Sequence, residues 1–193
     1  WSSQPSGSTE FLRAVWAADS KNAWAVGNSG VILRWDGTTW SSQASGISSH
    51  LTGVFGLSST SVFAVGAGGV LLKWDGSAWA LQSSDGITWF SSVWASNPVN
   101  VWAVGSSGTI RRWNGTAWST TASGVTTQLN SIWGSDASNL YAVGDRGTLL
   151  KWNGTSWSPQ VSGSSQVLNA VFGIGSGNLF AVGNTGSILH RAP

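Results

Sequence analysis

The chain has 193 residues, the length of one domain or two small ones. Nine Lys and Arg stand against seven Asp and Glu, and only 8% of residues are charged, where about 25% is usual. The sequence pI of about 9.5 therefore reflects scarcity of charge, and such sparse cations argue against nucleic acid and against a polybasic membrane anchor. Cysteine is absent, which excludes disulfides, thiolate metal sites and cysteine nucleophiles. No apolar run is long enough for a membrane-spanning helix, so no membrane insertion is expected. The sequence begins at Trp1, contains no Met and shows no signal peptide. It reads as a processed mature chain or an excised piece of a longer secreted or cell-surface protein.

The opening residues, Trp1-Ser2-Ser3-Gln4, match Trp40-Ser41-Ser42-Gln43. They belong to a 39-residue period that runs the length of the chain. An apolar–aromatic pair recurs at Val15-Trp16, Val54-Phe55, Val93-Trp94, Ile132-Trp133 and Val171-Phe172. Ala-Val-Gly follows each time, at Gly27, Gly66, Gly105, Gly144 and Gly183, with a further glycine three residues on. Next come Trp35-Asp36-Gly37, Trp74-Asp75-Gly76, Trp113-Asn114-Gly115 and Trp152-Asn153-Gly154, each closed by a second Trp at 40, 79, 118 and 157.

Each unit predicts four short strands. In the second, these fall at 51–57, 62–66, 70–74 and from about Ala78, and the Asp75-Gly76 pair predicts a two-residue hairpin with positive φ at both centres. No window has helical periodicity. A small sheet with two apolar faces needs a neighbour on each, and repeats of this period stack as the blades of a β-propeller. The expected fold is all-β: a single domain over 1–193, a monomeric five-bladed propeller of four-stranded antiparallel blades. Residues 168–191 supply three strands, and the segment 1–10 is a fourth strand without its first three. The expected ring therefore closes by pairing Trp1's segment with Ser187 to Arg191.

Fourteen of the fifteen Trp fall in periodic positions, where packing between blades is the expected role. Trp89 does not: its equivalents are Phe11, His50, Gln128 and Val167. The same loop carries Asp85 where other repeats have Gly7, Gly46, Gly124 and Gly163. Two departures in one loop mark a candidate ligand site, with His50 and Arg146 as neighbours on the same rim. An Asp moved into a turn whose glycine has shifted to Gly86 gives the structural alternative. A basic residue ends every third strand (Arg34, Lys73, Arg112, Lys151, His190) and is expected to cover aromatic surface.

Catalysis is not expected. The acidic residues are Glu10, Asp19, Asp36, Asp75, Asp85, Asp136 and Asp145, and no two pair as a glycosidase dyad. Neither His50 nor His190 accompanies a nucleophile elbow, two lone His make no metal site, and no cofactor is implied.

The Val-Trp-Ala-Val-Gly and Trp-Asp-Gly-x-x-Trp pattern resembles a short-blade propeller repeat common in secreted bacterial proteins. The architecture is similar to the five-bladed tachylectin lectins, which bind N-acetylated sugars between blades. The hairpin is similar to that of the fucose lectins, whose paired Arg and Glu ligands have no counterparts here. Photosystem assembly factors share a related Ala-Val-Gly pattern but have an Asp-Gly-Gly-x-x-Trp hairpin that is missing here. The resemblance implies a carbohydrate-binding module with a neutral glycan or glycoprotein as partner. A protein-interaction or purely structural propeller is the alternative.

Overall fold

The computed structural model describes residues 1–192. Those residues form nineteen strands in five antiparallel sheets. Sheet 1 contains β1 (Leu12–Asp19), β2 (Asn22–Gly27), β3 (Ile32–Trp35) and β4 (Trp40–Gln43). Sheet 2 contains β5 (Leu51–Ser58), β6 (Ser61–Gly66), β7 (Leu71–Trp74) and β8 (Trp79–Ser83). Sheet 3 has β9 (Phe90–Asn97), β10 (Asn100–Gly105), β11 (Ile110–Trp113) and β12 (Trp118–Thr121), and sheet 4 has β13 (Leu129–Asp136), β14 (Asn139–Gly144), β15 (Leu149–Trp152) and β16 (Trp157–Pro159). Sheet 5 has three strands, β17 (Leu168–Ile174), β18 (Asn178–Gly183) and β19 (Ile188–Arg191). The chain divides into two compact units, Trp1–Trp89 with sheets 1 and 2, and Phe90 onwards with sheets 3 to 5.

Strand order and register follow the 39-residue period. The hairpin tryptophans face one another in each complete sheet, as Trp35 opposite Trp40 and Trp152 opposite Trp157. The turn between them departs from the sequence expectation. It spans four residues, closed by the Asp36 N–H donating to the Thr39 carbonyl. Positive φ occurs at Gly37 and its equivalents but not at the preceding Asp or Asn. The acid acts through its side chain instead: Asp36 Oδ1 accepts from the N–H groups of Thr38 and Thr39, both at 2.8 Å. Asn114 Oδ1 accepts from Thr116 and Ala117 in the same way, both at 2.9 Å.

These backbone donors, Thr39 first, and the Thr38 hydroxyl hold the Asp36 carboxyl down to about 2 from its ordinary 3.8. A carboxylate with a lowered folded-state pKa stabilises the fold above its unfolded value and loses that contribution as pH falls through the folded one. The turn thus weakens between about pH 4 and 2. Asp36→Asn supplies the same acceptor oxygen without the titration. Its expected melting temperature at pH 7 is close to wild type, with a smaller loss between pH 4 and 2, both readable by circular dichroism.

In the first unit, Trp24, Val26 and Ile32 of sheet 1 pack against Val54, Ala64 and Leu72 of sheet 2. In the second unit, Tyr141 and Val143 of sheet 4 pack against Val171, Leu179 and Ala181 of sheet 5. The packing is matched in size. A Cβ on Gly56 would lie 2.4 Å from the Trp16 ring, and Cβ atoms on Gly134 and Gly173 would lie 2.8 and 2.9 Å from the rings of Trp94 and Trp133. Each of these glycines sits 40 residues after its tryptophan and makes room for it.

The Trp play the structural part expected of them. Trp24 and Trp102 are fully buried, and Trp74, Trp79, Trp94, Trp113, Trp152 and Trp157 are buried. The basic residues cover aromatics: the Arg34 guanidinium lies 5.6 Å from the ring centres of Trp24 and Trp74. Arg112 lies 5.1 Å from Trp102, and His190 stacks on Phe180 at 4.4 Å.

Among the described residues, 1–10 belong to no strand, Trp1 is fully exposed, and sheet 5 has three strands, so the expected closure by the opening segment is not seen as a strand pairing. The segment keeps the loop bonds of the other repeats: the Ser8 N–H donates to Ser6 Oγ and the Glu10 N–H to Ser8 Oγ, as the Ser164 N–H does to Ser162 Oγ and the Gln166 N–H to Ser164 Oγ.

Candidate functional site

The site lies in the first unit, where the β2–β3 turn meets the β4–β5 loop. The turn at 28–30 places Ser29 at φ 55, and its N–H donates to His50 Nδ1 at 3.2 Å. His50 is held from its own backbone as well, because its carbonyl accepts from the Ala67 N–H at 2.9 Å. That approach explains the Ala-Val-Gly motif. A Cβ on Gly66 would fall 2.0 Å from the His50 carbonyl oxygen, so the position has no room for a side chain. Gly27, Gly144 and Gly183 show the same approach to Phe11, Gln128 and Val167.

The loop before β9 brings Trp89 to the same place. Trp89 pairs with Ala67 as an isolated antiparallel bridge, and its ring centre lies 6.2 Å from that of His50. It is 41% exposed, and Trp1 is the other exposed tryptophan among the described residues. Asp85 shapes the loop. Its Oδ1 accepts from the N–H groups of Ile87 and Thr88 at 2.9 and 2.8 Å, and its Oδ2 accepts from the Thr88 hydroxyl at 2.6 Å. Gly86 then turns the chain at φ 76. The structural alternative for Asp85 therefore describes its geometry: its oxygens hold the turn.

That turn presents a residue not singled out from sequence, Ile87, which is 90% exposed. The period did contain the signal, since its equivalents are the polar Thr9, Ser48, Thr126 and Ser165. Beside the loop runs a shallow groove of about 760 Å³, lined by Ile47, Ser49, Gly68, Val70, Leu81 and Gly86 among others. Arg146 belongs to the second unit, in the β14–β15 turn, exposed at φ 56. Within the first unit the structure thus groups His50, Asp85 and Trp89 and adds Ile87. The chemistry of the group is apolar and aromatic with one imidazole.

No protein-family model matches the chain, and no curated protein matches its sequence. Solved structures do. The chain is similar to YCF48 bound to D1 peptide, at 20% identity and a TM-score of 0.75 over 98% of this chain and 65% of that one. It is similar to YCF48 from Cyanidioschyzon merolae, at 18% identity and a TM-score of 0.72 over 96% and 70%. The WD40 β-propeller domain of Doa1 aligns at 14% identity and a TM-score of 0.75 over 93% and 64%. The chain thus spans about two thirds of the length of these structures. At such identities the likeness shows the fold, a repeat β-propeller.

Proposed function

We propose that the chain is a non-catalytic protein-interaction module whose first unit presents Ile87, Trp89 and His50 to an extended apolar peptide segment. The observation that carries the reading is Trp89, half-exposed beside His50 on a loop fixed by Asp85, where the periodic Trp are spent on packing. Aromatic anchors on a rigid rim dominate the energy of interfaces. A sugar site needs, beside its aromatic, polar groups aimed at hydroxyls. Here the carboxylate nearest Trp89 is engaged in its own turn, which favours a peptide over a glycan. The likeness to a propeller solved with a peptide supports the same choice.

Peptide-library selection against the chain, run beside a glycan array, tests the proposal. Selected peptides are expected to carry apolar residues and to bind with weak salt dependence, since the surface is charge-poor. Trp89→Ala is expected to weaken them by about tenfold or more. Glycan binding without peptide binding, or peptide binding unaltered by Trp89→Ala, overturns the reading.

A further inference from the structure

We propose that Asn114 and Asn153, at the tips of the β11–β12 and β15–β16 hairpins of the second unit, are acceptor sites for N-linked oligosaccharide. Each opens an Asn-Gly-Thr triplet, Asn114-Gly115-Thr116 and Asn153-Gly154-Thr155. Asn, any residue but proline, then Ser or Thr is the pattern on which an oligosaccharide is transferred to a side-chain amide in secreted proteins. The chain has eleven asparagines, and no other has Ser or Thr two places on. A three-residue pattern recurs by chance, and what sets these two apart is the turn they occupy.

Asn114, Thr116, Asn153 and Thr155 are all exposed. The side-chain bonds of both asparagines fall on Oδ1. Asn114 Oδ1 accepts from the Thr116 and Ala117 N–H groups and from the Thr116 hydroxyl, each at 2.9 Å. Asn153 Oδ1 accepts from the Thr155 and Ser156 N–H groups, both at 2.9 Å, and from the Thr155 hydroxyl at 2.8 Å. Nδ2 is left without a bond among the described residues, and it is the atom a glycan would take. Other asparagines spend it: Asn22, Asn97, Asn100, Asn130, Asn139 and Asn169 all donate from Nδ2. Asn28, Asn178 and Asn184 leave Nδ2 unbonded but lack the hydroxyl residue two places on. Free nitrogen and triplet thus coincide at 114 and 153.

The chemistry suits that arrangement. The donor is an oligosaccharide carried on a lipid pyrophosphate. A bond forms between Nδ2 and the first sugar's C1, the bond from C1 to the pyrophosphate oxygen breaks, and the lipid pyrophosphate leaves with the electron pair. Nδ2 gives up one of its two protons to a base of the transferase. The product is still an amide, so Oδ1 keeps its lone pairs and its three donors. The folded turn therefore accommodates the modified residue without losing a bond. Its base is fixed by buried or partly buried aromatics, with Trp113 opposite Trp118 and Trp152 opposite Trp157.

The first unit carries the same turn without the nitrogen. Asp36-Gly37-Thr38 and Asp75-Gly76-Ser77 keep the glycine and the hydroxyl residue. Asp36 Oδ1 accepts from the Thr38 hydroxyl and Asp75 Oδ1 from the Ser77 hydroxyl, at 2.8 and 2.7 Å. A carboxylate has no amide nitrogen to offer, so these two tips stay bare. One substitution converts either into an acceptor, and the reverse substitution removes one. The peptide site proposed around Trp89 contains neither triplet, so the two proposals stand or fall separately.

Translation of the full chain, behind a cleavable leader, into eukaryotic microsomes tests the proposal. Wild type is expected to gain two glycan steps in mass, both removed by a glycan-releasing amidase. Release in heavy-oxygen water is expected to leave labelled aspartate at 114 and 153 and at no other asparagine, with a sample lacking the amidase correcting for deamidation of the Asn-Gly pairs. Asn114→Asp and Asn153→Asp each lose one step and keep the turn, because Asp36 takes the same donors in sheet 1. Thr116→Ala and Thr155→Ala lose the same steps with the asparagine intact, a readout that holds even where an Asp variant folds poorly. Asp36→Asn gains a third step. A wild type with no glycan, label at other asparagines with 114 and 153 bare, or step counts unmoved by the Thr variants overturns the proposal. So does an Asp36→Asn chain that stays at two, since the turn would then not be what makes the acceptor.

Discussion

Trp102→Ala is expected to destabilise the second unit by about 3–5 kcal/mol, the usual range for removing a buried tryptophan. Its side chain is engaged on several sides. The indole is fully buried, 4.7 Å from Trp152 and 5.6 Å from Trp157 between ring centres. Its N–H donates to Asn100 Oδ1 at 3.2 Å, and Arg112 lies over its face. The loss has three parts. A cavity opens where two further tryptophans cannot both collapse, the Arg112 guanidinium loses an aromatic partner, and buried Asn100 gives up a donor. Asn100 keeps its bond from Arg112 Nε at 3.0 Å, which limits the third part. Urea unfolding followed by tryptophan fluorescence measures the change. Trp102→Phe is expected to retain more than half of the stability, as Phe63 fills the same position, also fully buried, in sheet 2. A midpoint unchanged by Trp102→Ala would mean that the stacked indoles are not what holds these sheets.

The period made most of this readable before any coordinates. Five repeats of fixed length placed the strands to within a residue or two. Cation over aromatic was also legible, because a basic residue precedes the hairpin tryptophan in every complete repeat. Two things were hidden. The Asp-Gly pair gave the place of the hairpin but not its geometry, since a side-chain acceptor can do the work that positive φ does in a shorter turn. The opening segment had the composition of a fourth strand, yet pairing depends on a partner edge that local sequence does not encode. At the candidate site, departures from the period were the usable signal. They marked Trp89 and Asp85 and also contained Ile87, whereas the contact of His50 with Ser29 depends on how two loops fold onto each other.

Gly66→Ala is expected to damage the fold and the candidate site together. The backbone of Gly66 is extended, and the position lies outside the glycines with positive φ, so the cost is collision and not dihedral strain. The added methyl would stand 2.0 Å from the His50 carbonyl oxygen and 2.9 Å from the Leu51 Cα, both backbone atoms with no rotamer to give. Relief requires β5 to move away from β6 at their first pair, Leu51 opposite Gly66. Leu51 is fully buried, so the shift opens the core, and about 2–4 kcal/mol is the expected loss. The same shift carries His50 away from Ser29 and Trp89, and peptide binding is expected to fall beyond what the lost stability explains. Gly46→Ala is the control. Nothing lies within 4 Å of its Cβ, and its φ of +73 alone sets the cost, expected at about 1 kcal/mol with binding retained. Chemical denaturation and peptide titration of the two variants side by side separate these effects. Equal losses for Gly66→Ala and Gly46→Ala would show that the motif glycine serves backbone freedom and not the close approach of two strands.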